Sequence, residues 1–231
     1  SGVDGGKKKY IVATDTSFPP FEFKDSNNEY VGIDIDLVKK IAELEGFEVE
    51  FRPMDFGGII PALQSGQVDA AIAGASITEE RKQTVDFSEP YYETGVIAVV
   101  KDDNNSIKTI DDLAGKKIAV KNGTEGAKLA EDALKGKSNI SVFEDSVSMY
   151  KAVENGQADA AFEDLPVAGY TIKITPDSKL KIATEKLTSG NYGFMTKKGA
   201  NTELMEKFNK GLKTLKESGE YDKIVEKYIG K

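Results

Sequence analysis

Cysteine and histidine are both absent from this 231-residue chain. Without cysteine there is no disulfide framework and no thiolate metal site. Without histidine the Ser–His and Cys–His nucleophile pairs are excluded, together with nearly all zinc chemistry. The double absence weighs against an enzyme, and neither a metal nor a cofactor is expected. Absent cysteine does not identify a compartment. No apolar run reaches the length that crosses a bilayer, and no signal peptide is visible. Basic residues are outnumbered, 31 Lys and Arg against 39 Asp and Glu for a formal net charge of −8, and Lys7 to Lys9 is the one tight basic run of the first half. Phosphate binding needs a concentrated basic face, so no nucleic-acid partner is expected.

What is present fits an ordinary globular chain, with 39% hydrophobic and 30% charged residues, long enough for one large domain or two small ones. The opening Ser1-Gly2-Val3-Asp4-Gly5-Gly6-Lys7 reads as a flexible tether or an expression scar, with any targeting segment already removed. The most informative feature is a repeat: Gly66-Gln67-Val68-Asp69-Ala70-Ala71 recurs as Gly156-Gln157-Ala158-Asp159-Ala160-Ala161. Each copy follows an apolar helical pattern and leads into a small-residue strand that ends abruptly, at Gly74-Ala75-Ser76 and at Glu163-Asp164. The same helix–turn–strand unit built twice predicts two lobes on one plan, with strand ends lining a cleft.

The rest of the chain follows this rhythm. Tyr10–Thr14 predicts a strand stopping at Asp15; Leu37, Val38, Ile41 and Leu44 predict a helix with Asp34 as N-cap and Gly46 as its stop. Phe47, Val49 and Phe51 alternate with charged residues as in a half-buried strand. The second lobe begins with strand Lys117–Val120 ending at Lys121, then a turn at Asn122-Gly123-Thr124, helices at Glu125–Leu134 and Ser146–Asn155, and a strand near Ile140–Phe143. Asp164-Leu165-Pro166 predicts a further helix start. A strand at Tyr192–Met195 and two C-terminal helices complete the pattern. The fold class expected is α/β, with each lobe a mostly parallel sheet flanked by helices. Residues 8–92 with 192–231 would form lobe 1, and residues 96–187 lobe 2. The crossings near 92–95 and 188–191 make a natural hinge.

Four strand ends supply the candidate chemistry: Asp15, Gly74 to Ser76, Lys121 with its turn, and Glu163-Asp164. Arg81 follows shortly after Ser76. A guanidinium, an ammonium, carboxylates, a hydroxyl and glycine-rich backbone are the parts that hold a zwitterion. Phe18 and Phe56 would supply apolar walls, although either taken alone reads more readily as core than as cleft. Arg81 sits in a charged run where a solvated face is as natural as a ligand clamp. Asp164 in isolation reads as a helix cap. The turn ending at Thr124 presents backbone N–H groups suited to an anion.

With these residues in place, the chain resembles the solute-binding proteins of polar amino-acid ABC importers. The matching stretches include Ala13-Thr14-Asp15-Thr16-Ser17-Phe18, Pro20-Phe21-Glu22-Phe23, Val31-Gly32-Ile33-Asp34-Ile35-Asp36-Leu37 and Met54-Asp55-Phe56-Gly57-Gly58-Ile59-Ile60-Pro61. Ile77-Thr78-Glu79-Glu80-Arg81-Lys82 and Asp86-Phe87-Ser88-Glu89-Pro90-Tyr91-Tyr92 continue the series. The resemblance implies that the ligand α-carboxylate meets Arg81 and the backbone at Ser76 and Glu125. It implies that the α-ammonium meets the Gly74 carbonyl, the Ser76 hydroxyl and Asp164. The glutamine binders imply Phe18 and Phe56 as a sandwich, and a side-chain amide held between Asp15 and Lys121. An amide satisfies both an acceptor and a donor, so glutamine is the first expectation and arginine, or both, the second.

Two departures bear on that choice: Glu125 stands where a glycine is typical, and Glu163 where a histidine occurs. Negative side chains there would favour a cationic ligand. The resemblance further implies a monomer, a permease partner, and a periplasmic or extracellular site of action, lipid-anchored or free. Two rivals from other classes share the fold: a cyclohexadienyl dehydratase-like enzyme using Glu163 or Glu125 as general acid, and a ligand-sensing receptor module.

Overall fold

The computed structural model describes residues 2–4 and 6–230. They fall into two compact units, one reaching to Tyr92 and resuming at Asn191, the other Glu93–Gly190. The first unit begins with strands β1 (Gly2–Asp4), β2 (Lys7–Asp15), β3 (Phe23–Lys24) and β4 (Tyr30–Val31), helix α1 (Ile33–Glu45) and strand β5 (Glu48–Met54). Helix α2 (Ile59–Ser65) and strands β6 (Ala70–Ala71), β7 (Val85–Phe87) and β8 (Tyr92–Thr94) follow. The second unit holds β9 (Val96–Lys101), β10 (Lys117–Lys121), α3 (Glu125–Leu134), β11 (Asn139–Phe143), α4 (Ser146–Glu154), β12 (Ala160–Asp164), α5 (Leu165–Ile174) and β13 (Leu180–Ile182). The chain then returns through β14 (Gly190–Tyr192), which pairs with β8, into β15 (Met195–Lys197), α6 (Thr202–Ser218) and α7 (Glu220–Ile229).

Both sheets are mixed, with a parallel part in each. In the first unit β2 lies parallel between β5 and β6, and β15 runs antiparallel to β6 and β7. In the second, β10 lies parallel between β11 and β12, and β9 runs antiparallel between β12 and β13. The repeated hexapeptide explains this symmetry. Its glycine ends a helix in the left-handed conformation, with φ of 79° at Gly66 and 82° at Gly156. Its aspartate then bonds twice to the start of the central strand. Asp69 accepts from the Ile11 amide at 2.8 Å and its own amide donates to the Ile11 carbonyl at 2.8 Å; Asp159 does the same with Lys117, again at 2.8 Å each. The two alanines fall into parallel register with Val12 and Ala13 in one unit, and with Ile118 and Ala119 in the other. Each copy is therefore a device that sets the register of the strand whose end carries Asp15 or Lys121.

Three local expectations are corrected. Helix α1 starts after Gly32, so Asp34 lies inside the helix, fully buried, rather than at its cap. The reason is the approach of Gly32 to the preceding loop: a Cβ there would stand 2.2 Å from the Phe21 carbonyl oxygen. The strand expected at Tyr192–Met195 is interrupted at Gly193-Phe194, whose amides donate instead to the Ala75 carbonyl and the Ser88 hydroxyl. Of the stretch 1–7 expected as a tether, Ser1 and Gly5 lie outside the described residues, and Gly2–Asp4 pairs antiparallel with Lys7–Lys9.

Candidate functional site

In the first unit the candidates gather at the end of β2 and along the segment after β6. Ile11, Ala13 and Asp15 share one face of β2, because side chains alternate. That face packs on Ile59, Leu63 and Met54, with Phe56 half-buried at its margin. Asp15 is almost fully buried, and its carboxylate accepts the Thr16 amide at 2.8 Å. Phe18 is buried with its ring against Gly74, where an added Cβ would come within 2.6 Å of a ring carbon.

Gly74 adopts φ +54°, and its amide donates to Asp34 Oδ2 at 2.8 Å. Its lack of a side chain is required twice, for the left-handed backbone and for the ring. Gly74→Ala is therefore expected to destabilise the fold by about 1–3 kcal/mol, from backbone strain plus a displaced Phe18 ring. A thermal melt that matches the parent would show that the backbone and the ring absorb the added methyl without strain.

The charged run Thr78–Lys82 splits by environment. Glu79 and Lys82 pair in solvent at 3.1 Å, whereas Arg81 turns inward and is only 8% exposed. The Arg81 amide is held by the Thr78 hydroxyl at 3.1 Å, its Nη1 donates to the Ser76 carbonyl at 2.7 Å, and its guanidinium carbon lies 5.5 Å from the centre of the Phe56 ring. Ser76 is itself buried. Arg81, Ser76, Gly74, Phe18 and Phe56 thus form one connected group. A groove of about 630 Å³ elsewhere on this unit, lined by Ile77, Phe87, Pro90 and Met205 among others, includes none of them.

In the second unit, alternation places Lys121 and Glu163 on the face of adjacent parallel strands that carries Ala119 and Ala161, packed on Met149 and Tyr150 of α4. Lys121 is 2% exposed and donates from Nζ to Ser146 Oγ at 2.8 Å. Glu163 is 5% exposed, and its Oε1 accepts the Asp164 amide at 2.9 Å. Burial pushes the Glu163 carboxyl up to about 7, against the opposing pull of Lys121 and with a further push from Asp164. Burial beside Glu163 also raises the Tyr150 phenol well above its usual range.

Thr124 caps α3: its hydroxyl accepts the Ala127 amide at 3.1 Å and donates to the Lys121 carbonyl at 2.7 Å. Glu125, half-buried, opens that helix. Asp164 occupies the cap position of α5, yet its carboxylate makes no capping hydrogen bond. Ser146 and Tyr150 were missed by sequence reasoning. Ser146 follows the helix-capping Asp145 and looks like ordinary helix-start chemistry, and its contact with Lys121 depends on strand order.

Comparison with known proteins shows the family. Residues 10–231 match the family described as bacterial extracellular solute-binding proteins, family 3. A probable histidine-binding protein of Neisseria gonorrhoeae is 35% identical, over 97% of this chain and 84% of that protein. The ABC transporter arginine-binding protein 1 of Escherichia coli (strain K12) is 35% identical, over 96% and 91% respectively. Among solved structures, an ancestral arginine-binding protein bound to glutamine superposes with a TM-score of 0.91 at 45% identity, covering 97% of this chain and 99% of that one.

Proposed function

We propose that this chain, which belongs to family 3 of the bacterial extracellular solute-binding proteins, binds a polar L-amino acid and delivers it to a membrane ABC importer. Arg81 and the backbone at Ser76 and Glu125 take the α-carboxylate. The Gly74 carbonyl, the Ser76 hydroxyl and Asp164 take the α-ammonium, while Phe18 and Phe56 enclose the aliphatic part. Asp15 and Lys121 meet the side-chain head. The protein is read as a binder and not a catalyst, a reading supported by relatives named as binding proteins.

The side-chain specificity is broad, for glutamine and arginine together. The observation that carries this is the Glu163 carboxyl buried beside Lys121. A lone lysine would repel a guanidinium, whereas a lysine compensated by a carboxylate leaves the end of the unit able to meet either an amide or a cation. The names of the relatives, which are arginine and histidine binders, and the ancestral arginine-binding protein that holds glutamine support the same reading.

Isothermal titration of ligand-stripped protein with L-glutamine and, separately, L-arginine tests it. Both ligands are expected to bind at neutral pH, with affinities within about thirtyfold, a difference of roughly 2 kcal/mol. Tight binding of glutamine with no response to arginine would restrict the site to amides and make Glu163 a bystander. Silence from both would overturn the amino-acid assignment.

A further inference from the structure

Helix α4 runs back along β10, from the end of the strand to its start. At the first end Ser146 Oγ accepts from Lys121 Nζ at 2.8 Å, and just past the other end Asp159 bonds to Lys117. Tyr150 follows Ser146 by four residues, so the two lie on one face of the helix, one turn apart. That turn sets Tyr150 level with Ala119 and Ala161, with which it shares a core cluster, two residues short of Lys121 and Glu163. Side chains on a helix lean toward its N-terminus. The Tyr150 ring, only 8% exposed, therefore reaches toward the strand ends where Glu163 stands. Helix α5 closes the same cluster through Ala168 and Ile172, and carries Thr171 between them. Tyr150 Oη, Glu163 Oε2 and Thr171 Oγ1 are the buried side-chain polar atoms of the described second unit that have no hydrogen bond of standard geometry.

We propose that Tyr150 is a positioning residue for ligand choice: its hydroxyl donates to Glu163 Oε2 and so favours the carboxylate that offsets Lys121. Glu163 Oε1 is already taken by the Asp164 amide at 2.9 Å, which leaves Oε2 as the oxygen in need of a donor. An ionised carboxylate only accepts, whereas a phenol both donates and accepts. One bond from Tyr150 to Glu163 therefore satisfies two of the three atoms, and the Thr171 hydroxyl donating to Tyr150 Oη satisfies the third. A hydrogen bond to a charged acceptor is about twice as strong as one to a neutral acceptor, so this bond favours ionisation. The other charged groups that face Glu163 are Lys121 from β10 and Asp164 from its own strand. Its register partner on β9 is Ile97, and α5 adds Leu165, Ala168 and Ile172, all apolar. Tyr150 thus acts with Lys121, against burial and Asp164. Burial also raises the phenol well above its usual range, so it keeps its proton while Glu163 titrates.

The effect on ligand choice rests on the proposed part of Glu163 in selecting the side chain, so the first measurement is made without ligand. Glutamate carboxyl resonances are followed by NMR from about pH 5 to 9.5, with Glu163 identified by its loss in Glu163→Gln. In Tyr150→Phe, which keeps the ring, the Glu163 midpoint is expected to move up from about 7 by roughly one pH unit. Calorimetry is then expected to show arginine weakened roughly fivefold relative to glutamine at about pH 7, with the parent ratio restored near pH 9. A merely structural defect would not recover in that way. In the Glu163→Gln background, Tyr150→Phe is expected to leave the ratio unchanged, because the acceptor is gone. A midpoint that stays at the parent value in Tyr150→Phe would overturn the role of the hydroxyl. A midpoint that moves while the arginine-to-glutamine ratio holds at every pH would uphold the hydrogen bond and overturn instead the part of Glu163 in ligand choice.

Discussion

Arg81→Ala is expected to weaken amino-acid binding by two orders of magnitude or more. The argument is one of uncompensated charge. An α-carboxylate brought out of water loses a few kcal/mol of hydration, and removing its buried partner costs about 3–5 kcal/mol because the remaining charge stays desolvated. Arg81 is suited to that task by its position as well as by its type. It is buried, its amide is fixed by Thr78, and its guanidinium is braced between the Ser76 carbonyl and the Phe56 ring. An alanine would remove the fork and also release the Ser76 carbonyl, loosening the segment proposed to meet the ligand. Arg81→Lys separates these effects: it keeps the positive charge but not the planar pair of donors, and it is expected to recover only a minor part of the loss. Calorimetry on both variants, with thermal melts to confirm folding, decides the matter. An alanine variant that binds within about tenfold of the parent would mean that the carboxylate is held elsewhere.

Much of this unit's logic is legible in one dimension, because local chemistry decides it. The bounds of α3 follow from the turn ending at Thr124 and the apolar spacing, and the repeated hexapeptide announces its own turn and strand, with the Thr124 cap and the strand register added by the structure. What was not legible depends on neighbours that the chain brings in from far away. The N-cap assigned to Asp34 failed because the loop at Phe21 leaves room only for a glycine at position 32, which starts the helix earlier and carries Asp34 inward to Gly74, 40 residues on. The solvated reading of the Arg81 run was right for Glu79 and Lys82 and wrong for Arg81 alone, since a short helical turn sends one member of the run to the other side. Asp164 shows a third kind of limit. Its cap position was visible, but whether its carboxylate spends itself on the helix depends on side-chain torsion that sequence does not encode. Lys121 and Glu163 were each singled out as strand ends. That they share a face is a property of β10 and β12 being parallel neighbours in register at Ala119 and Ala161, and this turns two separate charges into one coupled pair.

That pair leads to the expectation that ligand preference changes with pH near neutrality. The Glu163 carboxyl is raised to about 7 by burial. At lower pH it carries its proton, Lys121 stands uncompensated, and an amide side chain is preferred to a guanidinium. At higher pH the carboxylate offsets Lys121, and the repulsion that opposes arginine is removed. Linkage requires the reciprocal effect: arginine, which favours the ionised carboxylate, lowers its pKa, so arginine affinity rises with pH and levels off above the unliganded value. The slope is at most tenfold per pH unit for one proton, and the window lies between the liganded and unliganded values, below and around pH 7. Glutamine is neutral at its head, so its affinity is expected to change far less over the same range. In Glu163→Gln the pH dependence disappears, and arginine is expected to bind roughly tenfold to thirtyfold more weakly than to the parent at pH 8, a loss of about 1.4–2 kcal/mol. The same substitution also removes a carboxyl whose ionisation opposes folding. Its raised pKa means that the parent is stabilised by the protonated form at low pH and loses that stability as the pH passes through about 7. Glu163→Gln should therefore melt closer to the parent at pH 5 than at pH 8, where the variant gains. A ratio of arginine to glutamine affinity that stays constant from pH 5.5 to 8.5, in parent and variant alike, would place Glu163 outside ligand selection and return the preference to Asp15 and Lys121.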